Sequence, residues 1–195
     1  MANLLIIYGT SYGQTERITR RLAQALKRSG HSITPRRGDL RTDDLRLETF
    51  DAVVIAASVI RGRHQRYIRK FTRANAAALN RLPTAFVSVC GAAQDSPEEA
   101  RKYVDAFLHE TGLQPALVHS FAGAIAYTRY GPLTRWIMRR ISRSRGGPTD
   151  TSRDHEMTDW ADVDRFGVEL TRKLVHSPAA QPVFQRAAEP VHPSR

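Results

Sequence analysis

Residues 9–15 read Gly-Thr-Ser-Tyr-Gly-Gln-Thr. Thr10, Ser11 and Thr15 offer hydroxyls, Gly13 gives a flexible backbone, and the segment ends where a helix begins, so its first amides lack intrahelical acceptors. Hydroxyls and oriented N–H groups together can hold a phosphate dianion without a lysine. The candidates in this loop are Thr10, Ser11, Tyr12, Gly13, Gln14 and Thr15. The spacing matches neither the glycine triplet of dinucleotide sites nor the glycine-lysine loop of nucleoside triphosphatases. The same residue types also build an ordinary polar strand-to-helix turn.

Two further segments reach the same end of the expected sheet: Ser58-Val59-Ile60-Arg61-Gly62 and Ser88-Val89-Cys90-Gly91-Ala92. Gly91 lets a ligand approach the backbone closely. Cys90 has no identifiable base beside it, and a lone cysteine is commonly a buried small residue. A third feature is basic. Residues 131–145 carry Arg135, Arg139, Arg140, Arg143 and Arg145, no acid, and the apolar Leu133, Trp136, Ile137, Met138 and Ile141. At helical spacing these separate into apolar and basic stripes. Such a helix suits an anionic bilayer interface or ligand carboxylates; it could equally be a core-facing helix with solvated arginines. Histidines 64, 109, 119 and 155 show no metal-ligand spacing.

These segments need a scaffold. Leu4-Leu5-Ile6-Ile7-Tyr8 is a continuous apolar run ending at Gly9, as expected of a strand buried on both faces. Ile18, Leu22 and Leu26 follow at helical spacing, and Gly30 closes that helix. The unit recurs: a strand over 51–58, polar Arg61-Gly62-Arg63-His64, then one helix carrying Tyr67, Ile68, Phe71 and Leu79. Thr84–Cys90 is the next strand. Ser96-Pro97-Glu98-Glu99 reads as N-cap, first-turn proline and capping-box glutamate, with Ala100, Tyr103, Val104, Phe107 and Leu108 inward and Gly112 at the end. A fifth strand is expected over 116–124, and a weaker one around 32–36, where Pro35 implies a sheet edge. A last helix runs from Thr158 or Asp159 to about Val175, burying Val163, Phe166, Leu170 and Leu174. Alternating strands and helices indicate a parallel sheet covered on both faces.

The chain has 195 residues, enough for one domain; residues 1–176 are assigned to it and 177–195 to a disordered tail. Its formal net charge of +11 implies an anionic partner. No nucleic-acid motif accompanies the charge, so a nucleic-acid partner is not expected. One cysteine and no basic-apolar leader point to a reducing, cytoplasmic setting.

The loop Thr10-x-Tyr12-Gly13-Gln14-Thr15 resembles the Thr-x-Thr-Gly-x-Thr phosphate loop of flavodoxins, departing from it at Tyr12. That resemblance implies an α/β fold, a flavodoxin-like three-layer sandwich with a five-stranded parallel sheet in order 2-1-3-4-5. It also implies FMN as cofactor, with the 58–62 and 88–92 segments bracketing the isoalloxazine ring. A closer resemblance lies further along. Gly-Ala-x-x-Tyr-x-Arg-Tyr (123–130), the basic helix, Gly-Gly-x-Thr-Asp-Thr (146–151) and Thr-Asp-Trp (158–160) occur in the order found in flavodoxin-type, quinone-dependent protoporphyrinogen oxidases of bacteria. The best-known members carry a longer lysine- and proline-rich insertion where 91–96 is short here.

This second resemblance implies oxidation of protoporphyrinogen IX to protoporphyrin IX in successive two-electron steps, with electrons passed to a membrane quinone. The expected place is peripheral, on the inner face of the cell membrane. The cofactor carries such chemistry, so no side chain is assigned as acid or base. Arg63, Arg129, Arg135, Trp136, Arg139, Arg140 and Arg143 are the candidates for substrate or membrane contact. The alternatives are an NAD(P)H-fed FMN quinone reductase and a non-enzymatic electron-transfer module.

Overall fold

The computed structural model describes residues 1–40 and 45–175. The expectation of a disordered tail over 177–195 lies outside them. In chain order the elements are β1 (Asn3–Gly9), α1 (Gln14–Arg28), β2 (Ser32–Arg37), β3 (Ala52–Ile60), β4 (Arg63–His64), α2 (Arg66–Ala74), α3 (Ala76–Leu79), β5 (Thr84–Cys90), α4 (Ala92–Asp95), α5 (Pro97–Thr111), β6 (Leu117–Ala122), β7 (Ala124–Ile125), α6 (Pro132–Ser144), β8 (His155–Glu156) and α7 (Trp160–Leu170). The main sheet runs β2-β1-β3-β5-β6, every pair parallel. Counting only these long strands, that is the expected 2-1-3-4-5 order, with Pro35 on the outermost strand.

The apolar run of β1 explains why the sheet has a layer on each side. Successive side chains of a strand point to opposite faces. Leu4 and Ile6 enter one core with Ile18, Leu22 and Leu26 of α1 and Val163, Phe166 and Leu170 of α7. Leu5 and Ile7 enter the other with Ile68 and Phe71 of α2 and Val104 and Phe107 of α5. All four strand residues are fully buried, each worth roughly 1.5–3 kcal/mol of transfer free energy.

Four local expectations are corrected. Ile60 and Arg63 pair antiparallel across Arg61 and Gly62, both at positive φ, so the polar segment is a tight hairpin rather than a simple turn into a helix. The helix after it breaks at Asn75, whose side-chain amide donates to Phe71 O at 2.9 Å beside its own backbone N–H at 3.1 Å, closing the first segment. The hydroxyl of Ser96 makes no cap bond on α5; Glu99 instead accepts the Tyr103 hydroxyl and the Arg145 guanidinium. The fifth long strand stops at Ala122, because Ala124 and Ile125 leave the sheet to pair with Glu156 and His155.

That departure creates a satellite. Between β7 and β8 the chain forms a short 3-10 turn (Tyr127–Arg129), then α6, then a return loop. Ile125, Ala126, Tyr127 and Tyr130 form a small core of their own, joined by Tyr12, Met138 and Met157. Tyr127 is fully buried, and its hydroxyl donates to Pro148 O at 2.9 Å.

His64 sits behind β5 with its ring edge-on to Phe86 and Phe107, and Nε2 is 3.0 Å from Ser88 Oγ. Burial, helped by the Arg69 guanidinium, holds its pKa down at about 4. The unfolded imidazole titrates near 6.5. Above that pH both states are neutral; below it the unfolded chain takes a proton that the native state refuses. Stability is therefore expected to fall as pH drops from about 6.5 to about 4, by on the order of 3 kcal/mol from this residue. Urea titrations of the native chain and of His64→Gln across that window check it: the variant should show a flatter profile.

Candidate functional site

The carboxyl ends of β1, β3 and β5 lie side by side, and the loops that follow them open into one cleft of about 560 Å³. Its near end is the β1–α1 loop. Gly13 adopts φ +93°, a left-handed conformation favourable to glycine, and turns the chain into α1. Its amide donates to Thr10 Oγ1 at 2.9 Å, so that hydroxyl braces the turn. Thr10 N in turn donates to the Tyr67 hydroxyl at 3.1 Å. Thr15 lines the cleft fully buried, and its Oγ1 has no hydrogen-bond partner among the described residues. A buried hydroxyl without a partner costs free energy unless something arrives to use it.

The sequence candidates separate by position. Thr10, Tyr12, Gln14 and Thr15 line the cleft, as do Ser58, Val59, Ile60, Arg61, Gly62, Val89, Cys90, Gly91 and Ala92. Burial raises the Cys90 thiol pKa, which keeps it protonated and unreactive. Ser88 is fully buried against His64 and Ser11 is exposed; neither is on the lining. The Gln14 amide is committed to Glu156 at 2.7 Å and to Thr158 Oγ1 at 2.8 Å, pinning α1 to the far side of the satellite. Tyr12, the departure from the hydroxyl pattern, packs its ring edge-on against Tyr130 with centroids 4.8 Å apart.

The basic candidates divide too. Arg63 lines a separate pocket on the α5 side. Arg135 donates to the carbonyls of Tyr127 (3.0 Å) and Tyr130 (3.2 Å), holding α6 to the turn before it. Arg139, Arg140, Arg143 and Trp136 stand exposed on the outer side of α6. The inner side, through Thr134, Ile137, Met138, Ile141 and Arg145, forms the far wall of the cleft. Arg129 lies not there but at the β1–α1 loop, with Nη1 donating to Tyr12 O at 2.6 Å.

Sequence reasoning missed several members of the site. Gln65 is buried, and its amide donates to Ser58 Oγ and, at 3.4 Å, to Ser11 Oγ, linking two of the loops. Gly123, Ala124, Ile125, Tyr130 and Met157 complete the lining from the satellite. Arg145 ties α6 to α5 through Glu99 at 2.8 Å, and the Glu99 contact helps push the Tyr103 hydroxyl pKa up to about 12. Arg145 was visible as the last of the arginines, but nothing local marked Glu99 and Asp95 as the two acids that meet it. Among the described residues no group of three or more His, Cys, Asp or Glu could hold a metal, and no helix is long and apolar enough to cross a membrane.

A parallel sheet in this order, with a hydroxyl-lined helix start at its carboxyl edge, defines the class: residues 5–152 match the family described as flavodoxin domain, and the chain belongs to that family. It is 33% identical over 170 residues to protoporphyrinogen IX dehydrogenase (quinone) of Escherichia coli strain K12, covering 85% of this chain and 93% of that protein. A Leishmania major protein of the same name is 29% identical over 169 residues, 83% of this chain and 71% of the other. The fold is similar to that of oxidised flavodoxin 1 from Bacillus cereus, with a TM-score of 0.54, 16% identity and coverage of 89% and 99% of the two chains.

Family membership implies FMN as cofactor, and the residues of this cleft fit such a group. The unsatisfied Thr15 hydroxyl and the amides at the start of α1 suit a phosphate dianion. At Gly91 an added Cβ would meet nothing within 4 Å, so open space lies beside the 88–92 loop.

Proposed function

We propose that the protein is an FMN-dependent oxidoreductase that oxidises protoporphyrinogen IX to protoporphyrin IX and passes the electrons to a membrane quinone. The observation that carries this reading is the continuity of the cleft: one space runs from the phosphate cradle, past both sheet-end loops, to the apolar inner side of α6. A carrier domain needs only an exposed cofactor edge. Here a wall of Ile137, Met138 and Ile141 gives a hydrophobic tetrapyrrole or a quinone ring a surface to lie against. The curated relatives bear the corresponding name.

In this reading the β1–α1 loop anchors the phosphate of FMN, while the 58–62 and 88–92 loops and Gln65 hold the ring. When bound, FMN supplies two-electron acceptance and delivery. The protein's own part is placement: Ile137, Met138 and Ile141 exclude water, and Gly62 and Gly91 allow backbone approach. Gly91→Val tests the ring assignment. With open space at that Cβ and an ordinary φ, stability should change by less than about 0.5 kcal/mol. FMN affinity, read by fluorescence titration, should fall by about tenfold or more, the loss of one good packing contact. Unchanged affinity would place the ring elsewhere.

The outer side of α6 completes the reading. It presents Arg139, Arg140 and Arg143 beside exposed Leu133 and Trp136, which suits a peripheral position on an anionic membrane, where a lipid-soluble quinone is available. The deciding experiment is anaerobic. Purified holoprotein is given protoporphyrinogen IX and a soluble quinone, and porphyrin fluorescence is followed. Fluorescence should rise with quinone present, and NADPH should not replace the porphyrinogen as donor. Quinone reduction driven by NADPH alone would favour the quinone-reductase alternative; turnover with neither donor would leave only an electron-transfer module.

A further inference from the structure

We propose that Arg129 is the cation that clamps the FMN phosphate, and that through it cofactor binding seats the basic helix α6. The β1–α1 loop shows a site built for an anion: the first amides of α1, the buried Thr15 hydroxyl without a partner, and no lysine. A helix start supplies only about half a positive charge, and a phosphate monoester near neutral pH carries close to two negative ones. The loop pattern has also lost a hydroxyl at residue 12, whose ring is turned into the satellite core.

Arg129 arrives from 117 residues away in sequence and sets Nη1 2.6 Å from Tyr12 O, over the loop itself. A Cβ added to Gly13 would lie 3.2 Å from the same nitrogen. One N–H is spent on that carbonyl. The Nε–Asp154 separation of 3.8 Å is an ion pair rather than a hydrogen bond, so the fork retains donors for phosphate oxygens. Asp154 holds the turn in place by accepting Thr128 N at 2.9 Å and Thr128 Oγ1 at 2.8 Å. The nearby Arg17 is not the clamp: Glu156 at 3.0 Å, Gln14 Oε1 at 3.2 Å and the Trp160 ring already engage it.

The second half follows from position. Arg129 ends the 3-10 turn that leads into α6, and the carbonyls of that turn hold Arg135 of α6. Gripping the phosphate therefore fixes the root of the helix whose inner side walls the cleft. A flavin without phosphate has no such grip.

Fluorescence titration of the apoprotein with FMN and with riboflavin tests this, alongside Arg129→Ala and Arg129→Lys. The native chain should prefer FMN. Arg129→Ala should weaken FMN by about tenfold or more while leaving riboflavin unchanged, and Arg129→Lys should recover part of the loss. Hydrogen exchange over 132–144 should slow with FMN in the native chain, and slow less with riboflavin or in Arg129→Ala. Equal loss for both flavins, or no loss for FMN, overturns the clamp. Equal protection by FMN and riboflavin overturns the coupling to α6. The proposal rests on FMN as cofactor, and a native chain that binds neither flavin would sink that assignment first.

Discussion

A Gly13→Val variant should purify without its yellow colour. The residue sits at φ +93°, where a β-branched side chain costs roughly 1–2 kcal/mol. Its Cβ would also press on the Arg129 guanidinium at 3.2 Å. The loop must give way, and with it the alignment of the Thr10 hydroxyl, the α1 amides and the Arg129 fork on one anion. Losing two such contacts corresponds to about 3 kcal/mol, a hundredfold or greater loss of FMN affinity. The rest of the domain should survive, because α1 remains packed through Ile18, Leu22 and Leu26 in a core remote from the loop. Far-UV circular dichroism should be unchanged while the flavin absorbance disappears. A variant that stays yellow would mean that the phosphate is held at another loop.

The second large effect concerns α6. Leu133 and Trp136 are 70% and 61% exposed, and Ile137 and Ile141 about 41% and 42%, beside Arg139, Arg140 and Arg143. Each arginine near an anionic lipid surface contributes about 1 kcal/mol at moderate ionic strength. Replacing all three with glutamine should therefore reduce partition onto phosphatidylglycerol vesicles by about a hundredfold in cosedimentation. Salt should mimic the loss, because the attraction is screened within a Debye length. Trp136→Ala should remove a smaller, salt-resistant part. Retention of vesicle binding by the triple variant would move the membrane-facing surface away from this helix.

Much of this was legible in the chain itself, for physical reasons. The β1 run of Leu4 to Ile7 reads as a doubly covered strand because a short unbroken apolar run ending at a glycine suits a strand with a layer on each face, and β3 and β5 bury their runs in the same way. The order of strands, the edge position of Pro35 and the inward stripe of α7 follow from similarly local patterns. The phosphate loop was visible because hydroxyls and a glycine at a strand-to-helix junction are contiguous. What stayed hidden depends on distant partners. Tyr12 looked like a lost hydroxyl until Tyr130 appeared beside it. Arg129 and Arg135 looked like further members of a basic surface, whereas carbonyls of Tyr12, Tyr127 and Tyr130 claim them. The Arg61-Gly62 hairpin was obscured because its first position holds arginine instead of the asparagine or aspartate that usually marks such a turn. His64 gave no sign that Ser88 and two phenylalanines would enclose it.

The pairing of Ala124 with Glu156 and Ile125 with His155 brings the ends of the satellite together beside the sheet. Met157 N, donating to Gly123 O at 3.1 Å, ties the same neck. A stretch pinned at its base can grow or shrink without disturbing its host, since doubling a closed loop costs only about 0.6 kcal/mol. A graft exchanged at residues 123 and 157 should therefore be accepted by the remaining sheet, yet it would carry away Arg129, Tyr130 and Glu156, which touch Tyr12 and Gln14 at the helix start, so retention of the nucleotide would depend on what the graft puts back.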